Sequence, residues 1–175
     1  MKTFVKYGIW TGVVSGLWGL VSFTVVGWLN TAAFHGSIPA TQIRSYSGLF
    51  SLIILAIGIY LGLKQARTRN GNSLTYGQAV KTGMLIAVVT AVVVAVFTWL
   101  YCVVINPGYT EFMVQDCQHT MAAAGKSPAE ITQCIESTRK EFSTGAQVGQ
   151  ALIGQAVIGS LLSLIMGLFL RTKNK

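Results

Sequence analysis

Acidic residues are scarce in this chain. Asp and Glu together number 5 in 175 residues, and charged residues of both signs make up only 10% of the sequence. A soluble globular domain carries about a quarter charged residues, so this composition excludes a water-soluble core. Histidine occurs 2 times and cysteine 3 times, with no finger-type spacing for a metal. The phosphate-cradling pattern G-x-x-x-x-G-K-[ST] is missing, and Gly71 to Gly77 does not fit it. RNA-binding signatures are missing too, which removes nucleic acid as the reason for the net charge of +8. Long apolar runs remain, with short basic clusters beside them, and 52% of the residues are hydrophobic.

Those runs define an all-α integral membrane protein with four transmembrane helices, expected over about 7–34, 45–63, 80–105 and 146–170. Each suits a crossing of about 30 Å of hydrocarbon at 1.5 Å per residue. The first run is too long for a signal-peptide core, and Asn30-Thr31-Ala32-Ala33 is a poor cleavage site, so an uncleaved span is expected. Trp10, Trp18 and Trp28 read as packing residues and headgroup anchors.

Between the second and third runs lies KQARTRNGNSLTYGQAVK, Lys64 to Lys81, which holds four bases and no acid and reads as a cytoplasmic loop. Asn70-Gly71-Asn72 is a turn signal. Thr75-Tyr76-Gly77-Gln78 has the form of a capping box, so the third helix is expected to begin near Tyr76. Asn106-Pro107-Gly108 ends that helix, because proline disfavours helix in the residue before it.

All the acids, Glu111, Asp116, Glu130, Glu136 and Glu141, fall in the segment 109–144, which reads as a polar insert. Gly125 supplies a helix stop, Ser127 an N-cap, Pro128 the first helical position and Glu130 the partner in a capping box. The insert is therefore expected to be an extracytoplasmic αα-hairpin between helices 3 and 4. Cys117 and Cys134 lie nearly equidistant from its turn, at the same height on two antiparallel helices, which predicts a disulfide between them. On loop-entropy grounds that bond stabilises the hairpin by about 3 kcal/mol. His119 points elsewhere on its helix, which argues against a zinc site, and His35 reads as a solvated loop residue. Cys102, inside an apolar run, reads as a small buried hydrophobe.

Charge orients the map. Lys2, Lys6, Lys64, Arg67, Arg69, Lys81, Arg171, Lys173 and Lys175 lie on one side without acids, whereas Arg44, Lys126, Arg139 and Lys140 share the other with all the acids. Both termini are thus expected in the cytoplasm and the hairpin outside. A faint internal repeat pairs Lys6-Tyr7-Gly8 with Lys81-Thr82-Gly83, and Gly58-Ile59-Tyr60-Leu61 with Gly167-Leu168-Phe169-Leu170. A duplicated two-helix unit, with the hairpin inserted in the second copy, would produce it.

Gly8, Gly12 and Gly16 recur every fourth residue and, with Gly58 and Gly62, form smooth faces for helix packing. Gln150, Gln155 and Ser163 form the polar membrane face of the last span, read as hydrogen-bonding glue more than as a pore lining.

Four segments carry a family resemblance: GIYLGLK (58–64), NGNSLTYGQAVKTG (70–83), INPGY (105–109) and SPAEI (127–131). Together they resemble the bacterial membrane family called domain of unknown function 4199. The resemblance implies four spanning helices, an extracytoplasmic helical segment and a bacterial cytoplasmic membrane. It implies no activity, and the paired cysteines are no part of the pattern.

Ion coupling ordinarily needs an ionisable residue inside the membrane, and an enzyme needs a nucleophile and base or metal ligands close together. The apolar runs supply neither. The expectation is a non-enzymatic accessory, assembly or interaction protein of the inner membrane, without cofactor. Its partners would be the lipid bilayer and either a second copy or another membrane protein. A passive channel or small-solute transporter is the alternative.

Overall fold

A computed structural model describes residues 2–32 and 40–172. The side chains of Trp28 and Arg44, and the whole of His35, Pro39, Lys173 and Lys175, lie outside what it describes. The helices are α1 (Thr3–Ala32), α2 (Ala40–Arg69), α3 (Tyr76–Leu100), α4 (Tyr109–Ala123), α5 (Pro128–Glu141) and α6 (Thr144–Leu170), and the described residues contain no strand. Among them, 4 helices are long and apolar enough to cross a membrane: Thr3–Val25, Tyr46–Arg69, Tyr76–Ile105 and Thr144–Leu170.

One expectation needs correction. The basic segment is mostly helix, because α2 continues through Lys64 to Arg69 and Lys81 already belongs to α3. Lys, Gln, Ala and Arg are good helix formers, and Arg67 and Arg69 in the last turn oppose the negative end of the helix dipole. The true turn is short. Gly71 and Asn72 both hold positive φ, at 63° and 61°. Thr75 then caps α3 with the reciprocal Gln78 bond that the sequence announces. The helix itself, Ala40–Arg69, is longer than the apolar run within it.

α3 is the central helix, packing most extensively on α6 and α1, while α1 also packs on α2. The chain termini and the 70–75 turn meet at one end. There Arg69 Nη1 donates to Thr3 Oγ1 at 3.1 Å, and the Thr172 and Leu74 backbones are linked, with Thr172 N–H donating to the Leu74 carbonyl at 2.9 Å. Lys2, Lys6, Lys64, Arg67, Arg69, Lys81 and Arg171 gather near this basic end.

Near the other end α3 changes gauge. Tyr101–Ile105 form a π-helical turn, closed by the Asn106 N–H on the Tyr101 carbonyl at 2.8 Å. Pro107, which follows, offers no N–H to continue a helix. α4 and α5 then form the helical hairpin. α4 stops in a Schellman motif, with Gly125 at φ 67°, its N–H on the Ala122 carbonyl, and the Lys126 N–H on the Met121 carbonyl. α5 starts with the Ser127–Glu130 capping box and Pro128 at its first turn.

Cys117 and Cys134 are joined by a disulfide, their Cα atoms 6.5 Å apart. Arg139 also pairs with Glu111 across the hairpin at 3.0 Å, but both side chains are more than half exposed, so the pair adds little. An aromatic stack seats the hairpin on the bundle: Phe23 of α1, Tyr101 of the π turn, Tyr109 of α4 and Phe142 before α6 lie ring to ring at 5.0–6.1 Å.

Candidate ligand cavity in the hairpin half of the bundle

The two halves of the bundle are built differently. Toward the basic end the helices are pressed together at glycine. A methyl group on Gly8 would come within 2.5 Å of Val89 and one on Gly12 within 2.6 Å of Val93, and at the border with the cavity one on Gly16 would come within 2.5 Å of Phe97. The face these three glycines form is therefore an internal one, given to α3. Gly58 backs directly onto Thr11 of α1, and Gly62 onto Ile86 of α3 and Tyr7 of α1. Gly83 backs onto Ser163 and Gly159 onto Ala87, which brings α3 and α6 together. Leu55, Ile59, Leu63 and Ile86 fill the space that remains and are fully buried. Thr90, also fully buried, donates its hydroxyl to the Gly8 carbonyl at 3.2 Å. That bond ties α3 to α1.

Toward the hairpin end a cavity of about 420 Å³ opens among α1, α2, α3 and α6. Small residues on its wall make the room. A methyl group added at Gly48 or Gly154 would touch nothing within 4 Å. Leu55 closes the side facing the basic end, while Trp18, Phe23, Phe97 and Tyr101 supply aromatic surface. Trp18 is held in place by donating Nε1–H to the Ser47 carbonyl at 3.1 Å and by stacking at 5.3 Å on Phe50.

The polar part of the lining is uncharged. It comprises Ser15, Ser47, Ser51, Thr98, Gln147, Gln150 and Gln155. Thr98 returns its hydroxyl to the Val94 carbonyl at 3.0 Å, and Gln147 Nε2 donates to the Glu141 carbonyl at 3.0 Å. Gln155 bridges α6 to α2 by donating to Ser51 Oγ at 3.4 Å. Ser15, 3% exposed like Gln147, differs from these in that its hydroxyl has no hydrogen-bond partner.

Gln150 and Gln155 thus reach the same cavity, but Ser163 does not join them. It is fully buried against Gly83, with its hydroxyl on the Gly159 carbonyl of its own helix at 2.6 Å. Sequence reasoning missed Ser15 and took Trp18 for a packing and anchor residue. Only the serine spacing relative to the glycine face, Ser15 beside Gly12 and Gly16, pointed inward. Cys102 is buried in the cluster formed by Tyr101, Tyr109, Met113 and Phe142. Among the described residues no three His, Cys, Asp or Glu side chains come together in a way that could hold a metal ion.

Four long apolar helices around a partly polar cavity define a multi-pass membrane protein in contact with lipid. The chain belongs to the family described as "Protein of unknown function (DUF4199)", whose model matches residues 6–172. No curated protein and no solved structure matches it.

Proposed function

We propose that this is a non-enzymatic accessory or assembly protein of a cytoplasmic membrane, with both termini inside and the α4–α5 hairpin presented outside to a membrane-protein partner or a second copy. The observation that supports this reading is the hairpin itself. α5 has no buried residue, so its polar surface is available, while the disulfide and the aromatic stack give it a fixed shape. A rigid, exposed element loses little conformational entropy on binding. A disulfide persists in an oxidising compartment, and the acid-free basic end belongs on the cytoplasmic side. Both point the same way.

The alternative, a passive channel or small-solute transporter, has Gln150 and Gln155 on the cavity wall in its favour. Against it stand Leu55, Ile59, Leu63 and Ile86, packed without solvent exposure where a conduit would have to continue.

The test combines topology with site-specific cross-linking in intact cells. A single cysteine at Asn72 in a background lacking Cys102 should react with an impermeant maleimide only after permeabilisation, while a biotin ester should reach Lys126 directly. A photo-cross-linker at Glu136 should give one discrete adduct that the same group at Asn72 does not give. Reaction at Asn72 in intact cells would invert the topology. Identical adduct patterns from the two positions would remove the hairpin as the binding element.

A further inference from the structure

The cavity has chemistry that the accessory reading leaves unused. Its volume of about 420 Å³ falls within the range of small-molecule sites, about 300–1,000 Å³. It adjoins a region where helices touch at nearly every turn, so it is not the general looseness of the bundle. Ser15 is 3% exposed, lines the cavity and has an unsatisfied hydroxyl. A buried polar group without a partner is costly in an apolar medium, and a ligand hydroxyl or carbonyl would remove that cost. Tyr101 is carried to the wall by the π turn, a distortion that recurs at functional sites.

The lining also selects the ligand. It contains no Asp, Glu, Lys, Arg or His, so an ionised head would enter without a counter-charge and be rejected. Hydroxyl and amide groups beside Trp18, Phe97 and Leu52 suit an apolar body that carries an uncharged donor and acceptor. We propose that this cavity is a binding site for an uncharged amphiphile, an apolar chain or ring bearing a hydroxyl or carbonyl head, with Ser15 and Gln150 as its hydrogen-bonding partners.

The probe is octadecanol carrying a mid-chain diazirine, incorporated with the full-length protein into phosphatidylcholine vesicles. After illumination, adducts on the α6 segment 151–158 are compared with those on 161–169, whose exposed Leu161, Ile165 and Phe169 serve as the lipid-facing reference. The expected result is a saturable component on 151–158, above the linear background from its own exposed Ile153 and Val157, and purely linear labelling of the reference. The matching octadecyl sulfate and octadecyl trimethylammonium probes should label both segments linearly.

Gly154→Leu, whose Cβ meets no neighbour, projects its side chain into the cavity and should abolish the saturable component. Gly149→Leu, on the same helix but off the cavity wall, should leave it intact. Ser15→Ala, which breaks no hydrogen bond within the protein, should raise the half-saturating probe fraction about fivefold. Unlabelled octadecanol and benzyl alcohol serve as competitors. Competition by octadecanol alone identifies a membrane lipid as the source, and competition by both identifies a free ring-and-hydroxyl solute; each supports the site. Saturable labelling by a charged probe, or saturable labelling that survives Gly154→Leu, would overturn it.

Discussion

Glycine has opposite consequences in the two halves of this bundle. Toward the basic end Gly8, Gly58, Gly83 and Gly159 are where one helix rests on another, whereas toward the hairpin Gly48 and Gly154 face empty space. In lipid no hydrophobic force drives apolar helices together, so they associate through close packing and hydrogen bonds, and small residues help only where the partner follows the contour. α3 follows it on α1 and α6. The α2 and α6 backbones near Gly48 and Gly154 do not follow it, and the same residue type makes a cavity.

The contrast is broken most directly by making one substitution in each half of α6. Gly159→Leu should cost about 3 kcal/mol, because Ala87 occupies the space a side chain needs. Gly154→Leu should cost less than about 1 kcal/mol, since its Cβ meets nothing within 4 Å and the rest of the side chain has the cavity to enter. Unfolding of the purified chain in detergent, followed by tryptophan fluorescence, measures both. Equal losses would erase the distinction between dry and hollow halves.

Removing the disulfide with Cys117→Ala and Cys134→Ala should loosen the hairpin by about 3 kcal/mol. Hydrogen exchange should rise in α4 and α5 while α6 stays protected; faster exchange throughout the bundle would mean that the bond supports more than the hairpin.

Thr90→Val keeps the shape and deletes the α3–α1 hydrogen bond to Gly8. A loss near 0.6 kcal/mol is expected in the same unfolding assay. No loss would assign the dry half to packing alone.

The smallest effect concerns Glu130. The Ser127 N–H, the Ser127 hydroxyl and Lys126 hold its carboxyl below the ordinary glutamate range. A carboxylate with a lowered folded pKa contributes stability above its unfolded pKa, and this is lost as pH falls through the folded value. The hairpin should therefore loosen slightly on acidification within that window, read by hydrogen exchange of α5, and Glu130→Gln should flatten the response. An unchanged slope in the variant would exclude the cap as its source.

What the sequence made legible was local. Thr75 with Gln78, Ser127 with Glu130, and Gly125 before Pro128 fix helix ends within a few residues, by hydrogen bonds that form in the helix itself. The disulfide was legible for a related reason, since equal distance from a turn sets equal height on both helices. The extent of α2 was obscured because Lys64, Arg67 and Arg69 end the apolar run, and the end of an apolar run is not a helix end. The partner of the Gly8-Gly12-Gly16 face, the separation of Ser163 from Gln155, and the cavity all depend on how four helices are rotated against one another. Near-uniform apolarity around α1 and α6 leaves that rotation without a periodic signal. The π turn had only Asn106-Pro107 to announce it.

Tyr101 belongs to two neighbourhoods. Its ring lines the interior space between the spans and also packs on Phe23 and Tyr109, while its hydroxyl accepts from Asn106 Nδ2 at 3.1 Å. A partner that tilts the hairpin must therefore displace this ring or be resisted by it. Anything that filled the space beneath would, in turn, stiffen the seat on which the hairpin stands, so that the cavity and the hairpin share one hinge of aromatic rings.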